Sequence, residues 1–259
     1  MNETLKDSMN NCAVLIPIYK LPLNEFEILN LEISSGNLVE HEVFVIAPYD
    51  LDLTELIVKH PQLKLEYFDK NYFQSVQDYS RLMLSMELYS RFKKNYSHIL
   101  IYQTDAIILK PELNYWLTQS YDYIGAPWKN GYELNLITRT IPIAEGVNCK
   151  AFVGNGGLSL RKIDSCLNLF NEFPDIHETW IKFGHAEDLF FGFVGTLSRN
   201  FILPNIMTAA RFSHETDADY LFNLIGNQLP FGAHGFDKYE NRYIQEYLKN
   251  LNSNQLIVS

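Results

Sequence analysis

Four short stretches hold side chains whose types and settings fit them for chemistry. In ILIYQTDAIIL, Ile99 to Leu109, an apolar run is broken by Gln103, Thr104 and Asp105 and then resumes. A buried strand of a parallel sheet reads as nearly continuous Val, Ile and Leu, and a carboxylate inside it is costly unless paired, hydrogen-bonded or on a metal. The strand is therefore expected to stop at Gln103, with Asp105 at its carboxyl end. His234, in LPFGAHGF, lies in a loop-like setting of proline and glycine, where functional residues concentrate. One carboxylate and one imidazole leave coordination positions open on Mn²⁺ or Mg²⁺ for a phosphate, which makes Asp105 and His234 candidate metal ligands. A histidine by itself is more often an ordinary surface or core residue.

Glu187 and Asp188 open an apolar helical pattern in GHAEDLFFGF. Capping is one reading, since acids are favoured in a helix's first turn. The other is proton acceptance from a sugar hydroxyl, because few acids elsewhere have so apolar a setting. Gly154, Asn155, Gly156 and Gly157 form a turn that could line a pocket for a hydroxyl-rich substrate, and a tight hairpin or bulge is supported as well. The cluster matches neither GxGxxG nor a P-loop. Tyr123, Trp128 and Tyr132 border a long segment from Lys129 to Lys150. Sugars lay C–H faces on aromatic rings, so Trp128 is a candidate acceptor platform, with core packing as the alternative.

These residues need a scaffold. Strand-like runs stand at Cys12 to Tyr19, Glu42 to Pro48, Leu63 to Phe68 and His98 to Gln103. Between the last two, VQDYSRLMLSMELYSRFKK repeats Tyr79, Leu82, Met83, Met86 and Tyr89 at helical spacing. Alternation of this kind predicts an α/β domain with a mainly parallel sheet, in which ligands bind beyond the strand carboxyl ends, where Asp105 is placed. Further on, AFVGNGGLSLRK reads as a short strand, a glycine turn, then a helix with Ile163, Cys166, Leu167 and Phe170 inward. Another helix is expected near Ala186, with Phe190, Phe193, Val194 and Leu197 buried. The polar tail from Asp237 to Leu251 is helical in pattern. With no repeat, low-complexity tract or linker, one domain is expected.

Composition narrows the partners. The 259 residues, 47% hydrophobic and 14% aromatic, suffice for a well-buried core. A net charge of −10 argues against sequence-independent nucleic-acid binding, which needs basic surface. No run approaches the roughly 20 apolar residues of a membrane span, and MNETLKDSMNN lacks the basic and apolar regions of a signal peptide, so a cytoplasmic protein is expected. Cys12, Cys149 and Cys166, widely spaced and without a CxxC pair, read as buried thiols.

In this order, ILIYQTDAIIL, YDYIGAPW, VGNGGLSLRK, EDLFF and PFGAHGF resemble the GT-A glycosyltransferases. More closely they resemble a bacterial and fungal family of GT-A-like proteins described as a domain of unknown function (DUF5672), over Cys12 to Phe236. The resemblance implies a single Rossmann-like domain, with a nucleotide-binding half at about 12–110, an acceptor and catalytic half at about 111–236 and a helical tail at 237–259. It places Gln103, Thr104 and Asp105 at the DxD motif that holds a metal on the donor diphosphate, with the first acid replaced, and His234 as the histidine that completes the site. Ala186, Glu187 and Asp188 match the xED motif, which makes Asp188 the expected base, with Glu187 positioning acceptor or base.

By the same resemblance, Pro17, Ile18, Tyr19 and Pro48 cradle base and ribose, with Tyr79 and Ser80 contributing, while Asn155, Gly156 and Gly157 shape the sugar site. What it implies is inverting sugar transfer from a nucleotide sugar, expected to be UDP-linked, to a glycan or lipid-linked glycan in bacterial surface-polysaccharide assembly. Peripheral contact with the inner face of the cytoplasmic membrane is part of that expectation. A carbohydrate-binding or scaffolding protein without turnover is the alternative, because Gln103 stands where the first acid should be.

Overall fold

Apolar runs and helical stripes alternate along the first half of the chain, and most become elements of the computed structural model, which describes residues 11–136, 147–238 and 241–255. Strands β1 (Cys12–Pro17), β2 (Glu42–Pro48), β3 (Lys64–Phe68) and β4 (His98–Tyr102) fall on the four expected runs. Helices α1 (Glu25–Asn37) and α2 (Thr54–Lys59) connect the first three strands. Periodicity does not reveal α1, since its buried residues are the polar Glu27, Asn30 and Ser34.

The stripe read as one helix before β4 is two, α3 (Val76–Met83) and α4 (Met86–Lys93). Ser85 between them has extended backbone, and its Oγ accepts from Leu88 N at 3.1 Å, a cap that starts the second helix afresh. After β4 the polar turn leads into β5 (Ala106–Ile108), α5 (Leu113–Leu117) and β6 (Tyr123–Ile124). The long middle segment, Lys129 to Lys150, is of mixed polarity and shows no strand pattern. Its described flanks instead form the antiparallel pair β7 (Pro127–Leu136) and β8 (Val147–Val153), bulged between Pro127 and Tyr132, while residues 137–146 lie outside the described set.

Beyond the glycine turn come β9 (Leu158–Lys162), α6 (Ile163–Glu172) and α7 (Pro174–Phe183), the last closed by Gly184 at φ 63°. Helix α8 (Glu187–Val194) starts after Ala186 as expected, with Phe190, Phe193 and Val194 buried. The chain finishes with α9 (Ile206–Phe212), β10 (Ser213–His214), α10 (Ala218–Leu224), β11 (Gly232–His234) and α11 (Arg242–Gln255). Cys12, Cys149 and Cys166 are buried free thiols.

The main sheet has the order β3-β2-β1-β4-β9-β6. Strands β1 to β4 are parallel, and β9 runs antiparallel to β4 with Ile99 opposite Arg161. Because β8 and β9 lie in different sheets, the glycine turn crosses between sheets and is not a hairpin. Alternate residues feed two cores: Leu15, Ile99 and Ile101 pack with α3, α4, α6 and α8, and Val14, Leu100 and Tyr102 pack on the opposite face. β1 lies between β2 and β4, so the chain leaves it toward β2 and returns on its other side, opening a crevice at the carboxyl ends of β1 and β4. A second sheet, β10-β11-β5, sets His234 opposite Ala106, the neighbour of Asp105.

Candidate active site

Asp105 is held from three directions. Its turn is closed by Ala106 N donating to Gln103 O at 2.9 Å, and Gln103 N donates to Gly157 O at 2.8 Å. Helix α1 clamps the turn from behind: Thr104 Oγ1 donates to Glu27 Oε1 at 2.8 Å and Asn30 Nδ2 to Thr104 O at 3.0 Å. The same Glu27 closes the helix's capping box with Asn24, so one carboxylate ends a helix and braces the turn. Asp105 Oδ2 accepts from Lys238 Nζ at 2.6 Å. Burial pushes the Asp105 carboxyl up, yet His234 and Lys238 hold it below the usual carboxylate range.

His234 lies between Asp105 and Glu215. Its Nδ1 is 3.1 Å from Glu215 Oε1 and its Nε2 3.1 Å from Asp105 Oδ1. Burial lowers its pKa, but the two carboxylates prevail and raise it to about 9. The Nε2 contact lacks hydrogen-bond alignment, leaving a buried nitrogen without a hydrogen-bond partner. Two cis ligands of an octahedral Mg²⁺ or Mn²⁺, each about 2.1 Å from the ion, lie about 3 Å apart. Asp105 Oδ1 and His234 Nε2 have that spacing, and Glu215 on Nδ1 stands where an outer-shell acid would orient the imidazole. These two side chains would suit a divalent cation in place of the Nε2 proton; among the described residues no group of three His, Cys, Asp or Glu side chains is placed to hold one, so its remaining positions would fall to a ligand.

The glycine turn joins this pair to the acids of α8. Asn155, in the left-handed region at φ 66°, donates its backbone N–H to Asp188 Oδ2 at 3.0 Å. Its side-chain Oδ1 accepts from Gly157 N at 2.9 Å, and its Nδ2 is buried without a partner. A Cβ on Gly157 would stand 2.1 Å from His234 Nε2, and one on Gly156 2.0 Å from Glu187 Oε1, so glycine is required by contact at both positions. Asp188 also accepts from Leu189 N at 2.8 Å. Burial raises its pKa, the charge of Glu187 adds to this, and Glu215 contributes from the histidine side. Asp105, His234, Asn155 and Asp188 therefore converge on one turn.

Glu187 faces inward. Its Oε1 accepts from Arg161 Nη2 at 3.0 Å and its Oε2 from Ser80 Oγ at 3.1 Å. Arg161 is fully buried, enclosed by Tyr123 and Phe191 and bonded to Tyr89 Oη at 3.3 Å. Glu187 thus anchors the start of α8 below Asp188.

In front of the Asp105 turn a cavity of about 560 Å³ opens at the carboxyl ends of β1 and β4, walled by Pro17, Tyr19, Lys20, Tyr79, Asp105 and Lys238 among others. Thr104 lines it as well. Four expected site residues lie elsewhere: Ile18 is buried and Pro48 ends a strand inside the sheet, both outside the cavity walls; Ser80 is buried and turned to Glu187; Trp128 is 8% exposed, its ring filling the space a Cβ on Gly154 would take, which makes it a core residue. Asn155, Gly156, Gly157, Glu187, Asp188 and His234 are not among the cavity walls and join it through the Asp105 turn. Sequence reasoning missed Glu27, Lys20, Arg161, Glu215 and Lys238. Only Glu27 had a local signal, the Asn24-to-Glu27 capping spacing.

This architecture is shared. The apo crystal structure of mouse xyloside xylosyltransferase 1 aligns at a TM-score of 0.52 and 10% identity, over 87% of this chain and 97% of that one. The galactosyltransferase LgtC, in complex with donor and acceptor sugar analogues, aligns over 86% of each chain at 12% identity and a TM-score of 0.48. The protein has a GT-A-like glycosyltransferase fold. Residues 62–234 match the family described as "Protein of unknown function (DUF5672)", and the chain belongs to that family. No curated protein matches it.

Proposed function

We propose that the protein transfers a sugar from a nucleotide-sugar donor to an acceptor hydroxyl, with inversion at the anomeric carbon. One observation carries this reading: the cavity at the β1 and β4 carboxyl ends meets, at Asp105, a cluster that continues through His234 and the glycine turn to Asp188. Tyr19 and Tyr79 on its walls offer ring surface to a base and ribose, and Lys20 and Lys238 offer positive charge to a diphosphate. Asp105 and His234 would hold Mn²⁺ or Mg²⁺, which when bound offsets negative charge developing on the departing diphosphate. The Asn155 amide, buried and unpartnered, suits a sugar hydroxyl.

In the transfer itself, the acceptor oxygen bonds to the anomeric carbon as the bond from that carbon to the diphosphate oxygen breaks. Asp188 takes the hydroxyl proton, and the nucleoside diphosphate leaves with the bonding electrons. A carboxylate held by two backbone N–H groups keeps its orientation, and its raised pKa makes it a stronger base than an exposed aspartate. Glu187, locked on Arg161, fixes the helix start that aims it.

Incubation with a panel of nucleotide sugars and Mn²⁺, with free nucleoside diphosphate as readout, tests the reading. Asp188→Asn is expected to lower turnover by about 10²–10⁴-fold while leaving UDP affinity within about twofold. No turnover by the unaltered chain with any donor, alongside sugar binding without nucleotide affinity, would favour the inactive carbohydrate-binding alternative.

A further inference from the structure

Away from that cavity, a groove of about 620 Å³ opens between β8, α9 and α10, walled by Phe152, Ile206, Met207, Tyr220, Leu224 and Arg211. Its apolar side chains stand in water: Phe152 is 39% exposed, Tyr220 40% and Met207 47%. Contiguous exposure of this kind marks an interaction surface, whereas single exposed apolar residues are ordinary. Aliphatic Met207, Ile206 and Leu224 complete the apolar wall beside the Phe152 and Tyr220 rings.

Its rim is cationic. Lys129 Nζ lies 4.5 Å from the centroid of the Tyr220 ring and Lys150 Nζ 5.4 Å from that of Phe152. Lys150 also pairs with Glu133 at 2.9 Å, while among the described residues Lys129 and Arg211 are in no salt bridge. Apolar and aromatic side chains in the middle, with long cations lying along them, form the arrangement that suits a boundary between hydrocarbon and anionic headgroups. In a chain of net charge −10, such a face also dictates orientation, because most other approaches to an anionic surface are repelled.

We propose that this face seats the protein on an anionic lipid surface, with Met207, Ile206 and Phe152 entering the acyl boundary and Lys129 and Arg211 meeting the headgroups. Phe152 stands on β8, the strand that leads into the glycine turn whose Asn155 N–H donates to the candidate base Asp188. Resting on the transferase reading for its purpose, this assigns the acceptor to a lipid-borne class.

Flotation of the full chain with vesicles of phosphatidylcholine alone, and of equal parts phosphatidylcholine and phosphatidylglycerol, tests the docking. Binding is expected to the mixed vesicles only, to weaken with salt, and to fall roughly tenfold in Met207→Glu and in the Lys129→Glu, Arg211→Glu double variant. Circular dichroism and UDP binding should be unchanged in both variants. Equal binding to both vesicle types, none to either, or binding indifferent to the variants would overturn the proposal. So would lipid-free self-association abolished by Met207→Glu, which would make the groove a protein interface. UDP affinity measured on the same samples separates the two claims: its absence from the unaltered chain would remove the transferase reading and leave the docking result standing.

Discussion

At the scale of single residues the account turns on Asp105 and His234, two side chains far apart in sequence whose ligating atoms stand 3.1 Å apart. Removing either is expected to weaken UDP binding in Mn²⁺ by about tenfold or more, and to lessen the difference between titrations with and without chelator. Isothermal titration of Asp105→Ala and His234→Ala would measure both, and affinities unchanged from the unaltered chain in both conditions would remove the metal from the account. Asp188 gives a pH signature of a different kind. The active form is the carboxylate and its pKa is raised, so turnover should climb with pH along a limb displaced above about 3.9, the ordinary aspartate value. A limb at or below that value would argue against Asp188 as the base. The sequence marks these three residues because a polar residue inside an apolar run is conspicuous. Lys238, Glu215 and Lys20 have ordinary polar neighbours and become visible only when the chain is folded.

Among the elements, α8 depends on an ion pair buried under it. Arg161 has 0% and Glu187 7% of its side chain exposed, and neither could lose its partner without leaving an uncompensated charge in the core. Arg161→Met should cost about 3–5 kcal/mol in urea denaturation, and adding Glu187→Met should recover most of that loss. A single variant as stable as the parent, or a double variant no better than the single, would show that the pair does not act as a unit. The strand β9 that carries Arg161 was legible as a strand, but its partner was not. Antiparallel pairing with β4 follows from the glycine turn crossing between sheets, and a run of glycines reads equally as a hairpin. Helix α1 stayed hidden for a related reason: its most deeply buried residues are polar, spent on bracing the Asp105 turn and the hydroxyl of Tyr102, while Phe26, Leu31 and Ile33 are only partly buried against the cores. Ser85 likewise splits one helical stripe in two without disturbing its periodicity.

Taken whole, the molecule joins a mainly parallel sheet to a small second sheet that brings His234, and Glu215 behind it, beside Asp105. The alternation of strands and helices, and the placement of Asp105 at a strand's end, follow from hydrophobic pattern alone; sheet order and the β5–β11 pairing depend on contacts across the whole chain, which pattern does not encode. Two buried histidines make stability sensitive to acid. His98 and His214 are each lowered to about 4, chiefly by burial. Their contribution is fully present above about 6.5 and is lost as the pH falls toward 4, at most about 3 kcal/mol each, with Asp188 acting in the opposite sense because its pKa is raised. The urea midpoint should therefore drop on acidification through that window, and His98→Asn with His214→Asn should flatten the decline. An equally steep decline in the double variant would place the acid sensitivity elsewhere.

The most direct measurement is a crystal structure of the protein with UDP and Mn²⁺, using the anomalous signal of the metal. The account predicts a manganese peak bound by Asp105 and His234, with the diphosphate on it and the nucleoside between Tyr19 and Tyr79. UDP bound elsewhere, or absent from this cavity at saturating concentration, would contradict it.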